Sequence, residues 1–138
     1  MDRQEAIENL LDHYEHPRNQ GPQDPVDVVM PGGNPGCGDI ITIYLKVKPS
    51  GDGVERVTFE GSGCTISQAA ASLLTELVEG KPLAEIDEMD FNDMIDILGR
   101  EVVSTRPRCA TLALGTLKAA IHKYRTDQRL ADQGASEE

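Results

Sequence analysis

The stretch DIITIYLKVKPSGDGVERVTFE, residues 39–60, decides the fold. From Asp39 the apolar residues recur at every second position: Ile41, Ile43, Leu45 and Val47 alternate with Thr42, Tyr44, Lys46 and Lys48. A period of two puts one set of side chains on a single side of an extended chain, so the segment predicts a half-buried strand. Pro49-Ser50-Gly51-Asp52-Gly53 supplies a hairpin turn. Val54 to Glu60 then returns as the next strand, with Val57 and Phe59 on one face. Upstream, Val26 to Met30 is a shorter β-prone run, cut off by Pro31-Gly32-Gly33-Asn34-Pro35-Gly36.

Outward from this hairpin the period changes to 3.6. Ile7, Leu10, Leu11 and Tyr14 predict an amphipathic helix over residues 3–15, stopped by Pro17. After Gly61-Ser62-Gly63, the stripe Ile66, Ala69, Ala70, Leu73 and Leu77 predicts a second helix that ends at Gly80. Residues 83–98 interleave apolar Leu83, Ile86, Met89, Phe91, Met94, Ile95 and Leu98 with acids, which predicts one or two short helices with a solvated acidic face. A last helix is expected from about Cys109 to Arg125, its stripe being Ala110, Ala113, Leu114, Leu117, Ala120, Ile121 and Tyr124. Strands first and helices after them predict an α+β fold: a small three-stranded antiparallel sheet with helices packed on one face. Residues 1–126 form the expected single domain, and 127–138 have the composition of a flexible acidic tail.

The chain has 138 residues, 38% of them hydrophobic, with three Tyr, two Phe and no Trp, so the core should be aliphatic. Its net charge of −11, from 24 acidic against 13 basic residues, argues against nucleic acid as a partner, because phosphate binding needs a basic surface. No apolar run approaches the ~20 residues of a membrane span, and the N-terminus does not resemble a secretory signal. A cytoplasmic protein, with no membrane partner, is the expectation. It is expected to be a monomer or weak dimer.

The three cysteines each stand at a Gly- or Pro-marked break: Cys37 in Asn34-Pro35-Gly36-Cys37-Gly38-Asp39, Cys64 in Gly61-Ser62-Gly63-Cys64-Thr65, and Cys109 in Arg106-Pro107-Arg108-Cys109. An odd count without a signal peptide favours reduced thiols over disulfides. Cys64 and Cys109 are placed at helix starts, where unpaired N–H groups favour thiolate, and Arg106 and Arg108 would add positive potential beside Cys109. With Asp39 two residues after Cys37, three thiolates and a carboxylate would complete a tetrahedral set for Zn²⁺ or an open seat for iron–sulfur. Against this stands the absence of a close C-x₂₋₄-C pair, and free cysteines also pack simply as small hydrophobes. Residue context alone leaves both readings open. His13 and His16, on or past the polar side of the first helix, and His122 in the last helix are expected at the surface. Thr65 and Ser67 have no His–Asp partner motif and give no support for a hydrolase.

Taken together, Pro35-Gly36-Cys37-Gly38-Asp39, Gly61-Ser62-Gly63-Cys64-Thr65-Ile66-Ser67 and Arg108-Cys109-Ala110-Thr111-Leu112 resemble the U-type iron–sulfur assembly family of IscU, SufU and the NifU N-terminal domain. Leu11-Asp12-His13-Tyr14-Glu15-His16-Pro17-Arg18-Asn19 is similar to that family's first helix and its exit. The resemblance implies a non-enzymatic scaffold. It would receive sulfur from a cysteine desulfurase, build a transient [2Fe–2S] cluster on Cys37, Asp39, Cys64 and Cys109, and pass it to apo iron–sulfur or carrier proteins. Zn²⁺ could take the same site. The chain departs from the IscU pattern at Ser104-Thr105-Arg106-Pro107-Arg108, where that branch has a chaperone-recognition motif and a histidine, and at Ala6, where it tends to have tyrosine. Gly-Cys-Thr-Ile-Ser and Cys-Ala-Thr-Leu are SufU-like, yet the interval from Cys64 to Cys109 has the shorter IscU length. The alternative is therefore a zinc-dependent, SufU-type sulfur acceptor, a sulfurtransferase that activates the desulfurase. A stable zinc-binding interaction module is a third, blander reading. On the first reading Cys109 takes persulfide sulfur, Cys37 and Cys64 are permanent ligands and Asp39 is the exchangeable one.

Overall fold

The computed structural model describes residues 2–34, 38–104 and 106–137. In chain order the elements are α1 (Arg3–Glu15), β1 (Val28–Asn34), β2 (Asp39–Val47), β3 (Val54–Ser62), α2 (Thr65–Val78), α3 (Leu83–Asp87), α4 (Phe91–Leu98), α5 (Arg100–Val103) and α6 (Pro107–Glu137). The three strands form one antiparallel sheet in the order β1-β2-β3. This is the expected α+β arrangement, with α6 lying against β1 and β2 and α2 against β3.

The central strand shows why the period of two governs the architecture. Asp39, Ile41, Ile43, Leu45 and Val47 are all buried on its inner face, and every residue between them is partly or fully exposed. The core built on this face is aliphatic, as expected: Leu74 of α2, Ile86 of α3, Met94 and Leu98 of α4, and Leu114, Leu117 and Ile121 of α6 are fully buried beside Phe59. The approach of α6 to the sheet is close. A Cβ on Gly32 of β1 would lie 2.0 Å from Thr116 Oγ1, so a side chain there would push helix and strand apart.

Two helical stripes are rotated from expectation. In α1 the buried residues are Ala6, Leu10 and His13, and Leu11 and Tyr14 are exposed. In α2 Ala69, Ala70, Ala71, Leu74 and Val78 are buried, and Leu73 and Leu77 only flank the core. Ala69 and Ala70 are common to the expected and observed faces, and the rotation brings Ala71, Leu74 and Val78 inward in place of Leu73 and Leu77. His13 thus moves from surface to interior. His16 and His122 are exposed as expected.

The acidic region 83–98 forms two short helices, α3 and α4, within the expected one or two, and α4 starts at a reciprocal Asp90–Asp93 capping box; α5 follows beyond it. The last helix continues to Glu137, past the expected stop near Arg125, through residues with no proline to break it. The chain between α1 and β1 also has a defined course. Asn19 O accepts from Phe59 N–H at 3.0 Å and Gly21 N–H donates to Phe59 O at 2.7 Å, which attaches this segment to the β3 edge. It must then cross the outer sheet face to reach β1 on the far edge. Gln23 on this segment and Thr58 of β3 are both buried. Among the described residues no helix is long and apolar enough to cross a membrane.

Candidate metal centre

Three elements deliver one reactive side chain each to the same end of the sheet. Asp39 is the first residue of β2 and falls in phase with the core-facing positions, so its carboxylate points inward and is 2% exposed. Cys64 follows the Gly61-Ser62-Gly63 break and is the N-cap of α2, its sulfur accepting the Ser67 N–H at 3.5 Å. Cys109 lies in the first turn of α6, which begins at Pro107, and is 1% exposed. Both cysteines carry free thiols, as the odd count led us to expect.

These groups are bonded to one another. Oδ2 of Asp39 accepts from the Cys109 thiol at 2.9 Å and from the Cys64 thiol at 3.6 Å, and Oδ1 accepts from the Cys64 N–H at 2.8 Å. The ligand atoms of all three residues lie within 4.8 Å of one another. Gly63 makes this possible: with φ at +128°, a Cβ there would lie 2.2 Å from Asp39 Oδ1. The sequence placed Asp39, Cys64 and Cys109 in one constellation, and the fold brings these three together. Cys37, the fourth expected member, lies outside the described residues.

The electrostatics differ from the sequence expectation at one point. Burial pushes the Asp39 carboxyl upward, but the hydrogen bonds from the Cys109 thiol and the Cys64 N–H and thiol, with the charge of Arg106, outweigh it and hold the group below the ordinary carboxylate range. Burial, then the Asp39 and Cys64 hydrogen bonds and charges, push the Cys109 thiol up to about 12. The helix start and arginine flank do not by themselves make Cys109 a thiolate. Desolvation and a neighbouring carboxylate are the stronger effects, and a cation between the sulfur and Asp39 would reverse both. The donor set fits such a cation. Sulfur with one carboxylate oxygen is ligand chemistry for Zn²⁺ or iron, whereas Ca²⁺ and Mg²⁺ take oxygen alone.

Ser67, weighed from sequence only as a hydrolase nucleophile and set aside, belongs to the site. It is fully buried, and its hydroxyl lies 3.7 Å from Cys64 Sγ and donates to Cys64 O at 3.0 Å. Its place three residues after an N-cap was the available signal.

The sequence profile of the NifU-like N-terminal domain matches residues 5–131. The iron-sulfur cluster assembly scaffold protein IscU of Aquifex aeolicus is 37% identical over 134 residues, covering 97% of this chain and 82% of the relative. The zinc-dependent sulfurtransferase SufU of Bacillus subtilis is 33% identical over 131 residues, covering 83% of this chain and 87% of its own. Among solved structures, the N-terminal part of a NifU-like protein from Brucella abortus superposes with a TM-score of 0.71 over 86% of this chain and 92% of that one. At 19% identity it supports the fold alone.

Proposed function

The chain belongs to the NifU-like N-terminal domain family, and from that premise we propose that it is an iron–sulfur cluster assembly scaffold. It receives sulfur from a cysteine desulfurase, assembles a transient [2Fe–2S] cluster on Cys37, Asp39, Cys64 and Cys109, and hands it to apo-proteins or carriers. The single observation that carries this reading is the convergence of Asp39, Cys64 and Cys109 from β2, α2 and α6 within 4.8 Å. The cluster is cargo here, so the ligands must both hold and release it. A carboxylate among thiolates is the weakest partner for a thiophilic ion and the natural one to exchange. Asp39 takes that role, and Cys64 and Cys37 remain bound. Cys109 takes sulfur first. Attack on a persulfide requires its thiolate, and burial with the Asp39 hydrogen bond at 2.9 Å holds the proton on the sulfur, so a cation held between Cys109 and Asp39 would favour its loss to solvent. The thiolate then bonds the outer sulfur of the desulfurase persulfide, and the desulfurase cysteine leaves as thiolate.

A second reading is kept because a relative of comparable identity is named a zinc-dependent sulfurtransferase and because Gly63-Cys64-Thr65-Ile66-Ser67 is SufU-like. On it, the same residues hold Zn²⁺ and one cysteine accepts persulfide without building a cluster. Anaerobic incubation with iron, cysteine and a desulfurase separates the two. Cluster absorbance that moves to an apo-ferredoxin supports the scaffold. Desulfurase turnover stimulated by the zinc-loaded protein, with no cluster formed, supports the sulfurtransferase. In the first case Asp39→Ala is expected to slow cluster release, and release at the wild-type rate sinks the exchange role.

A further inference from the structure

Ser67 stands in the first turn of α2, three residues after Cys64, and is wholly buried. Its N–H already points at the Cys64 sulfur, 3.5 Å away. Its hydroxyl has two acceptors within reach: the Cys64 carbonyl at 3.0 Å and the Cys64 sulfur at 3.7 Å. The carbonyl does not depend on it, because the Gln68 N–H donates to the same oxygen at 3.3 Å in the ordinary helical pattern. While Cys64 is a thiol, its S–H donates, toward Asp39 Oδ2 and toward Ser67 Oγ. Once that proton is lost to a cation, the sulfur can only accept. The buried hydroxyl is then free to turn from a satisfied neutral carbonyl to an anionic sulfur.

We infer that Ser67 is a positioning residue for the metal centre: through its N–H and hydroxyl it fixes the direction of the Cys64 sulfur and withdraws electron density from it. This rests on the metal-site reading above and adds a residue to it. Two hydrogen bonds to a ligating sulfur stabilise the thiolate against its proton and hold one orientation, which favours metal binding, and they lower the energy of its lone pairs, which raises the energy of sulfur-to-metal charge transfer.

Cobalt(II), added anaerobically to the metal-free protein, is the probe. Wild type is expected to show a thiolate-to-cobalt charge-transfer band and tetrahedral visible bands. Ser67→Ala is expected to move the charge-transfer band to lower energy and to weaken cobalt binding about tenfold, while circular dichroism stays native. Ser67→Thr should restore both. The Thr and Val variants at this position, matched in shape, isolate the hydroxyl even if the alanine variant unfolds. A Ser67→Ala spectrum and affinity equal to wild type, or a lowered melting temperature with unchanged cobalt bands, overturns the role of Ser67 and leaves the metal site standing. Wild type without any thiolate-to-cobalt band overturns both.

Discussion

A methyl group on Gly63 would sit 2.2 Å from Asp39 Oδ1, and the backbone there holds φ at +128°. Alanine at this position therefore meets two obstacles at once, a disfavoured backbone region and the carboxylate that bonds both cysteines. Gly63→Ala is expected to cost about 1–3 kcal/mol in denaturant unfolding, the usual range for such strain, and to weaken cobalt or zinc binding by displacing Asp39. A variant with wild-type stability and wild-type binding shows that the site does not depend on this close approach. Cys64 and Cys109 were legible because each stands at a Gly- or Pro-marked helix start, and Asp39 because it falls two residues after Cys37 at the head of the alternating strand. The protonation of Cys109 was not. Its partner Asp39 is 70 positions away in sequence, and burial of the pair is a property of the assembled fold.

Between α1 and α2 the packing is polar as well as apolar. His13 Nδ1 meets Ser72 Oγ at 2.8 Å, the same hydroxyl accepts the Arg18 N–H at 2.8 Å, and His13 Nε2 lies 3.5 Å from Glu76 Oε1. A carboxylate only accepts, so the neutral ring carries its proton on Nε2 and the serine hydroxyl donates to Nδ1. Asn19 donates to Thr75 Oγ1 at 3.1 Å one turn further on. The His13-Tyr14-Glu15-His16-Pro17-Arg18-Asn19 motif is thus a clasp that joins the exit of the first helix to the second. It could not be read as buried, because Ser72, Thr75 and Glu76 lie more than fifty positions away and look like a polar face on their own. Burial first, then the charge of Arg18, lower the His13 pKa below its ordinary 6.5, against the pull of Glu76 and Asp12. The sign follows from linkage: the unfolded chain takes up the proton more readily than the folded one. The stabilisation is complete above pH 6.5 and is lost as pH falls below it, with a slope of at most about 1.4 kcal/mol per unit from one proton. Thermal melts between pH 7 and 5 should show this loss in wild type and a shallower loss in His13→Gln. Equal slopes in the two proteins refute the assignment.

Across the whole molecule, the change of period from two to 3.6 was enough to give the order of elements and the single-sided helical layer. Two features escaped it. The segment between α1 and β1 crosses the outer face without a period of its own, and α1 and α2 turn a face that includes Ala6 and Ala71 to the core in place of the expected Tyr14 and Leu77. Both are set by tertiary packing, which composition does not encode. The same assembly has a thermodynamic consequence. Asp39, Cys64 and Cys109 belong to three elements that only the folded chain brings together, so a cation bound to them is bound to the native state and not to the unfolded one. Zinc at a free concentration one hundred times its dissociation constant should therefore raise the unfolding free energy by about 2.7 kcal/mol, and a chelator should remove that increment. Because each sulfur holds a different helix to β2, Cys64→Ser and Cys109→Ser should each reduce the zinc-dependent gain without abolishing the apolar core on which the metal-free fold rests. A wild-type melting curve indifferent to both zinc and chelator means that the three residues are joined by their hydrogen bonds alone. A gain that survives in both serine variants places the ion elsewhere.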